Sequence, residues 1–158
     1  MGNSLYLYGE SLFTLIETTL ILNQKLTHLD KIVFFDGECG LCNWAVDFFI
    51  RIDGSQTLYF SSLQSAFAIQ FLKEKNITIH LDTIYFYHNQ RIYDKSTAMK
   101  QIFLSLNKFW RVIGWLISLV PKSLADCIYC YIARNRFKLF GKTSCRIPTE
   151  EEKKRFLG

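Results

Sequence analysis

The stretch Lys31-Ile32-Val33-Phe34-Phe35-Asp36-Gly37-Glu38-Cys39-Gly40-Leu41-Cys42-Asn43 decides how the rest of the chain is read. Ile32 to Phe35 is a short uninterrupted apolar run, the pattern of a strand buried on both faces. Asp36-Gly37 breaks it. The segment Asn43-Trp44-Ala45-Val46-Asp47-Phe48-Phe49-Ile50-Arg51 that follows is apolar on almost every side, which predicts a well-buried helix. Two cysteines three positions apart therefore open a helix directly after a central strand. Unpaired helix N–H groups point toward the first sulfur there, and thiols so placed ionise more readily than the usual value of about 8.5. The placement makes Cys39 the candidate nucleophile toward a disulfide and Cys42 the thiol that resolves the mixed disulfide. Asp36, three residues before Cys39, is a candidate proton relay and equally a turn former through its own backbone hydrogen bonds.

Working outward, Leu58-Tyr59-Phe60 reads as a second strand. A helix with the stripe Leu63, Phe67 and Phe71 follows and ends near Asn76. Thr83 to His88 is rich in β-formers, Asn89-Gln90 makes a turn, and Arg91-Ile92-Tyr93 returns as the partner strand. Ser96 is positioned to cap a helix in which Met99, Ile102, Phe103 and Leu106 recur at i, i+3, i+4 and i+7. Strand, helix, strand, helix, hairpin, helix, with the dithiol at the first strand-to-helix junction, is the thioredoxin order. The expected class is α/β: a thioredoxin-like mixed sheet with flanking helices, its first two strands parallel and the hairpin antiparallel.

A C-terminal helical extension follows. Phe109, Val112, Ile113, Leu116 and Val120 form one apolar stripe, and Leu124, Ile128, Tyr131 and Ile132 form another beyond Pro121. Ser123 and Asp126 resemble a capping box, and Arg134, Arg136 and Lys138 before Gly141 suit a helix C-terminus. Residues 1–29 show no grammar tying them to the rest and are expected as a peripheral helix or loose extension, with the domain at 30–158.

Composition fits one globular domain: 158 residues, 49% hydrophobic and 16% aromatic. Nineteen basic residues against 14 acidic give a net charge of +5. The tail mixes Glu150, Glu151 and Glu152 with Lys153, Lys154 and Arg155, so a solvated face is expected and nucleic acid is not. The first basic residue is Lys25, so no secretory signal is expected, and Phe109 to Val120 is too short to span a bilayer. The expected compartment is the cytoplasm, where five cysteines stay mostly reduced and a paired motif reads as catalytic or metal-binding.

Other uses of these residues compete. Cys39 and Cys42 with the second pair, Cys127 and Cys130, could complete a tetrahedral zinc site. Zinc pairs usually lie about 15 to 20 residues apart, however, and the second pair here is remote and inside a helical pattern. Cys127 and Cys130 are better read as buried apolar residues, and Cys145 as a partly buried thiol. His28, His80 and His88 show no metal spacing. Trp44 is expected in the core, and Arg134 and Arg136 compensate the helix end. A redox-inert binding domain, with the basic helix end as its surface, is the remaining alternative. No cofactor is expected, the partner is a protein or small-molecule thiol or disulfide, and membrane contact is not predicted, although exposure of Phe109 to Trp115 would offer one.

Phe35 to Asn43 resembles the signature of the DCC family of thiol-disulfide oxidoreductases, named for its Asp, Cys and Cys. Tyr131-Ile132-Ala133-Arg134-Asn135-Arg136-Phe137-Lys138-Leu139-Phe140-Gly141 is similar to that family's second block. The resemblance runs from roughly Lys31 to Leu157. It implies a thioredoxin-like fold with Asp36, Cys39 and Cys42 as the motif residues. Glu38 and Leu41 stand where well-studied thioredoxins carry Trp and Pro, and neither Pro121 nor Pro148 precedes the Thr83 to His88 strand, where they place a cis-proline.

Overall fold

The computed structural model describes residues 29–143 and 148–158; the expectations for residues 1–28, His28 among them, and for Cys145 lie outside them. Four strands, β1 (Ile32–Phe35), β2 (Tyr59–Ser62), β3 (Tyr85–His88) and β4 (Arg91–Asp94), form one sheet in the order β2-β1-β3-β4. β1 pairs in parallel with β2, Ile32 opposite Tyr59, and antiparallel with β3, Val33 opposite Phe86. The hairpin β3–β4 turns through Asn89 and Gln90, both left-handed at φ of 51° and 60°, as a tight turn matched to strand twist requires. The helices among the described residues are α1 (Gly40–Ile52), α2 (Ala66–Glu74), α3 (Lys95–Ser105), α4 (Lys108–Ser118) and α5 (Lys122–Phe140). This is the thioredoxin-like mixed sheet, with α4 and α5 as the C-terminal extension.

β1 is buried along its whole length, as its unbroken apolar run requires. Val33, Phe35, Phe60 and Phe86 from three adjacent strands meet Val46 and Phe49 of α1 and Ala98, Ile102 and Phe103 of α3 in one core. Each fully buried aromatic or aliphatic side chain contributes roughly 1.5–3 kcal/mol. On the opposite face, Phe34 stacks with Phe67 and Phe71 of α2. α2 opens on Ser65, whose hydroxyl accepts from the Ala68 N–H, and ends two residues before Asn76, which takes a left-handed φ of 57°.

Several local expectations are corrected. Ser96 does not cap α3; Asp94 precedes the helix, and the Ser96 hydroxyl instead bonds Asp126 of α5. That contact and Lys122 occupy Asp126, so the Ser123–Asp126 capping box does not form and α5 simply begins after Pro121. The larger correction concerns the two apolar stripes. Phe109, Val112 and Leu116 face outward from α4, and Leu124, Ile128, Tyr131 and Ile132 face outward from α5. α4 is apolar over most of its circumference, interrupted by Lys108 and Arg111, and the face that packs inward is Trp110, Ile113 and Ile117, with Gly114 against Leu104 of α3.

The acidic and basic tail is not merely a solvated surface. A short 3-10 turn (Glu152–Arg155) buries Arg155, whose guanidinium pairs with buried Asp53 and donates from Nε to the Leu58 carbonyl at 3.0 Å. Leu157 N–H then bonds the Phe60 carbonyl at 2.8 Å, and Phe156 packs on Phe60 and Phe35. The C-terminus thereby closes the β2 edge of the sheet.

Candidate active site

Asp36 ends β1 and organises the loop that carries the cysteines. Its Oδ1 accepts from the Glu38 N–H at 3.0 Å, the turn-forming contact that an Asp-Gly pair makes available, and from Gln64 Nε2 at 2.7 Å. Its Oδ2 accepts from Arg136 Nη2 at 2.9 Å, across 100 residues of sequence, with both side chains buried. Gln64 Oε1 in turn takes the Gly37 N–H, and Asn43 Nδ2 donates to the Gly37 carbonyl. The loop is held from both sides.

Cys39 is the N-cap of α1, and its Sγ accepts from the Cys42 N–H at 3.3 Å. It is fully buried, beneath the chain leaving α5. Gly40 N–H meets the Gly141 carbonyl, Thr143 N–H bonds the Glu38 carbonyl at 3.1 Å, and Cys39 forms an isolated antiparallel bridge with Lys142. A Cβ at position 40 would lie 2.5 Å from the Phe140 carbonyl oxygen, so this approach requires glycine. Gly141 ends α5 with a left-handed φ of 70°, as its position in the sequence predicts.

Cys42 is half-buried and lines a cavity of about 240 Å³ with Leu41, Trp44, Ala45, Ile84, Tyr129 and Arg136. Burial is the largest influence raising its thiol pKa; the hydrogen bond and charge of Cys39 add to it, and the Arg136 guanidinium opposes it. Both cysteines are free thiols. Trp44 is 60% exposed rather than in the core, stacked on Phe48 at the cavity wall. Tyr129 closes the far side, its hydroxyl accepting from the Ile84 N–H at 2.9 Å.

Sequence reasoning placed Asp36, Cys39 and Cys42 together and missed Arg136, which it assigned with Arg134 to the helix end. Arg134 is exposed, whereas Arg136 is carried inward one half-turn later to meet Asp36. No local pattern signals a pairing over 100 residues. Cys127 is exposed and Cys130 half-buried, so neither is the fully buried residue expected. Among the described residues no three His, Cys, Asp or Glu side chains come close enough to hold a metal ion, so the two cysteine pairs do not converge.

Fold and site together define a class: a thioredoxin-like α/β domain with a vicinal dithiol at the N-terminus of its first helix. The chain belongs to the DCC1-like thiol-disulfide oxidoreductase family, whose profile it matches over residues 33–142, and with that family it shares a general redox role. It is 40% identical over 130 residues to the uncharacterized protein YuxK of Bacillus subtilis (strain 168), an overlap of 81% of this chain and 94% of that protein. It is also 28% identical over 118 residues to a chloroplastic DCC family protein of Arabidopsis thaliana, covering 73% of this chain and 69% of that one. No solved structure matches the chain.

Proposed function

We propose that this protein is a thiol-disulfide oxidoreductase working through a mixed disulfide on Cys39. The observation that carries the reading is the capping sulfur: Cys39 Sγ accepts the Cys42 N–H at the opening of α1, beside the second thiol of the pair. The Cys42 thiol is kept protonated by burial and by the neighbouring Cys39. In the forward step the Cys39 thiolate attacks one sulfur of a substrate disulfide, forming the mixed disulfide and expelling the other substrate sulfur as thiolate. Cys42 then passes its proton to that thiolate and attacks Cys39 Sγ, which breaks the mixed disulfide and releases the second substrate sulfur as thiolate. The substrate is reduced by two electrons and the protein ends with a Cys39–Cys42 disulfide. The same steps in reverse oxidise a dithiol.

Cys42 and Trp44 give the substrate an apolar wall, and Arg136 adds one buried Nε donor that has no hydrogen-bond partner among the described residues. Cys39 is fully buried with the strap Gly141–Thr143 hydrogen-bonded beside it, so a substrate disulfide reaches its sulfur through a local rearrangement. Asp36 enters as a positioning group. Three donors already hold its carboxylate, which suits a fixed anchor for Arg136 and the loop better than a proton carrier.

The test is a pair of single substitutions assayed on a disulfide substrate. Cys39→Ser is expected to abolish reduction, while Cys42→Ser accumulates a covalent adduct on Cys39 that mass spectrometry reads as protein plus one substrate half. Full turnover by Cys39→Ser contradicts the mechanism.

A further inference from the structure

Among the described residues, twelve of the fifteen exposed large hydrophobic side chains fall between Phe109 and Phe140. They run from Phe109 (70% exposed) through Trp115 (59%) and the corner at Leu119 (64%) to Tyr131 (70%) on α5. Leaving this much apolar surface in water is costly, and concentrations of it mark interaction faces. The inner face of α4 already contributes to the core through Trp110, Ile113 and Ile117, so its outer face is surplus to folding.

Charge identifies the occupant. Between Lys108 and Phe140 the chain carries Lys108, Arg111, Lys122, Arg134, Arg136 and Lys138 against a single carboxylate, Asp126. Asp126 is itself taken by Lys122 and Ser96. Lys108, Arg111, Arg134 and Lys138 stand exposed beside the apolar residues. Tryptophan, phenylalanine and leucine on one face with basic residues alongside is the composition of a helix that lies in a membrane interface. No single helix among the described residues is long and apolar enough to cross a bilayer; α4 and α5 together have the length and composition but are bent by 105°, and the basic residues flanking the apolar ones favour lying on a membrane surface. A second copy of the chain is a poorer match, because apposing two such faces brings like charges together.

We propose that the outer face of α4, with the corner and exposed stripe of α5, docks this protein on a membrane surface carrying anionic lipids. The proposal does not depend on the redox chemistry. The full-length chain is mixed with vesicles of phosphatidylcholine alone and of phosphatidylcholine containing phosphatidylglycerol, and the bound fraction is read by flotation. Binding is expected to the anionic vesicles only and to weaken as salt is raised. Trp115→Glu with Leu119→Glu, at exposed positions where folding is unaffected, is expected to cut partitioning at least tenfold, with circular dichroism unchanged. Lys108→Gln with Arg111→Gln is expected to cut it by roughly tenfold or more, at about 1 kcal/mol per basic residue near the surface. Equal binding to both vesicle types overturns the proposal. So does a dimer that the Trp115→Glu, Leu119→Glu chain cannot form, or a monomer indifferent to both vesicles.

Discussion

At the residue scale the site rests on two sulfurs that share one helix end. Cys39 takes the N–H of Cys42, while the Cys42 thiol is pushed above its ordinary value, burial being the main cause. A raised thiol pKa leaves both folded and unfolded states protonated below that ordinary value. Above it the unfolded chain loses the proton first, so stability falls as pH rises toward the folded-state value. Between pH 8 and 10 the native protein should lose about 1.4 kcal/mol more than Cys42→Ala, measured by urea unfolding at both pH values. An identical pH dependence in the two proteins would remove the assigned burial effect. The motif residues Asp36, Cys39 and Cys42 were legible because each acts within a few positions of the others. Arg136 was not, because it is brought to Asp36 only by the return of α5. Removing either partner would leave a buried charge uncompensated, an effect of roughly 3–5 kcal/mol.

At the scale of elements, β1, the hairpin and α2 follow from their own sequences: a continuous apolar run, a two-residue left-handed turn, a serine cap. The C-terminal helices do not. Periodicity located α4 and α5, but an apolar arc as wide as that of α4 has no unique inward face, and only packing against α3 chooses Trp110, Ile113 and Ile117. Gly114 marks that choice. A Cβ there would lie 2.8 Å from Leu104 Cγ and 2.9 Å from its backbone N. Gly114→Ala should therefore destabilise the protein by up to about 2 kcal/mol. The crowding, roughly 1–3 kcal/mol, outweighs the gain of about 1 kcal/mol that alanine brings to a helix. Gly54→Ala, which meets nothing within 4 Å, should change stability by less than about 0.5 kcal/mol. Urea midpoints of the two variants compare them directly, and a Gly114→Ala protein as stable as Gly54→Ala would place α4 differently on α3.

At the scale of the whole molecule, distant segments converge on both ends of the sheet. The chain leaving α5 covers Cys39, and the C-terminal turn seats Arg155 on Asp53 beside β2. The tail's run of three Glu followed by Lys153, Lys154 and Arg155 conceals that second closure, since nothing in a charged sequence distinguishes a buried arginine from solvated neighbours. The α/β order itself was readable throughout, because each strand and helix of the thioredoxin-like half is specified locally and only the final contacts are remote. Of these, the strap beside Cys39 bears on the chemistry of the dithiol. The most direct measurement equilibrates the full chain in thiol redox buffers of graded potential, then alkylates and maps each cysteine by mass. A single reversible two-electron transition confined to Cys39 and Cys42, with Cys127 and Cys130 alkylated at every potential, is the predicted result. A pair that stays fully alkylated across the range, or oxidation scattered among the other cysteines, would contradict the oxidoreductase assignment.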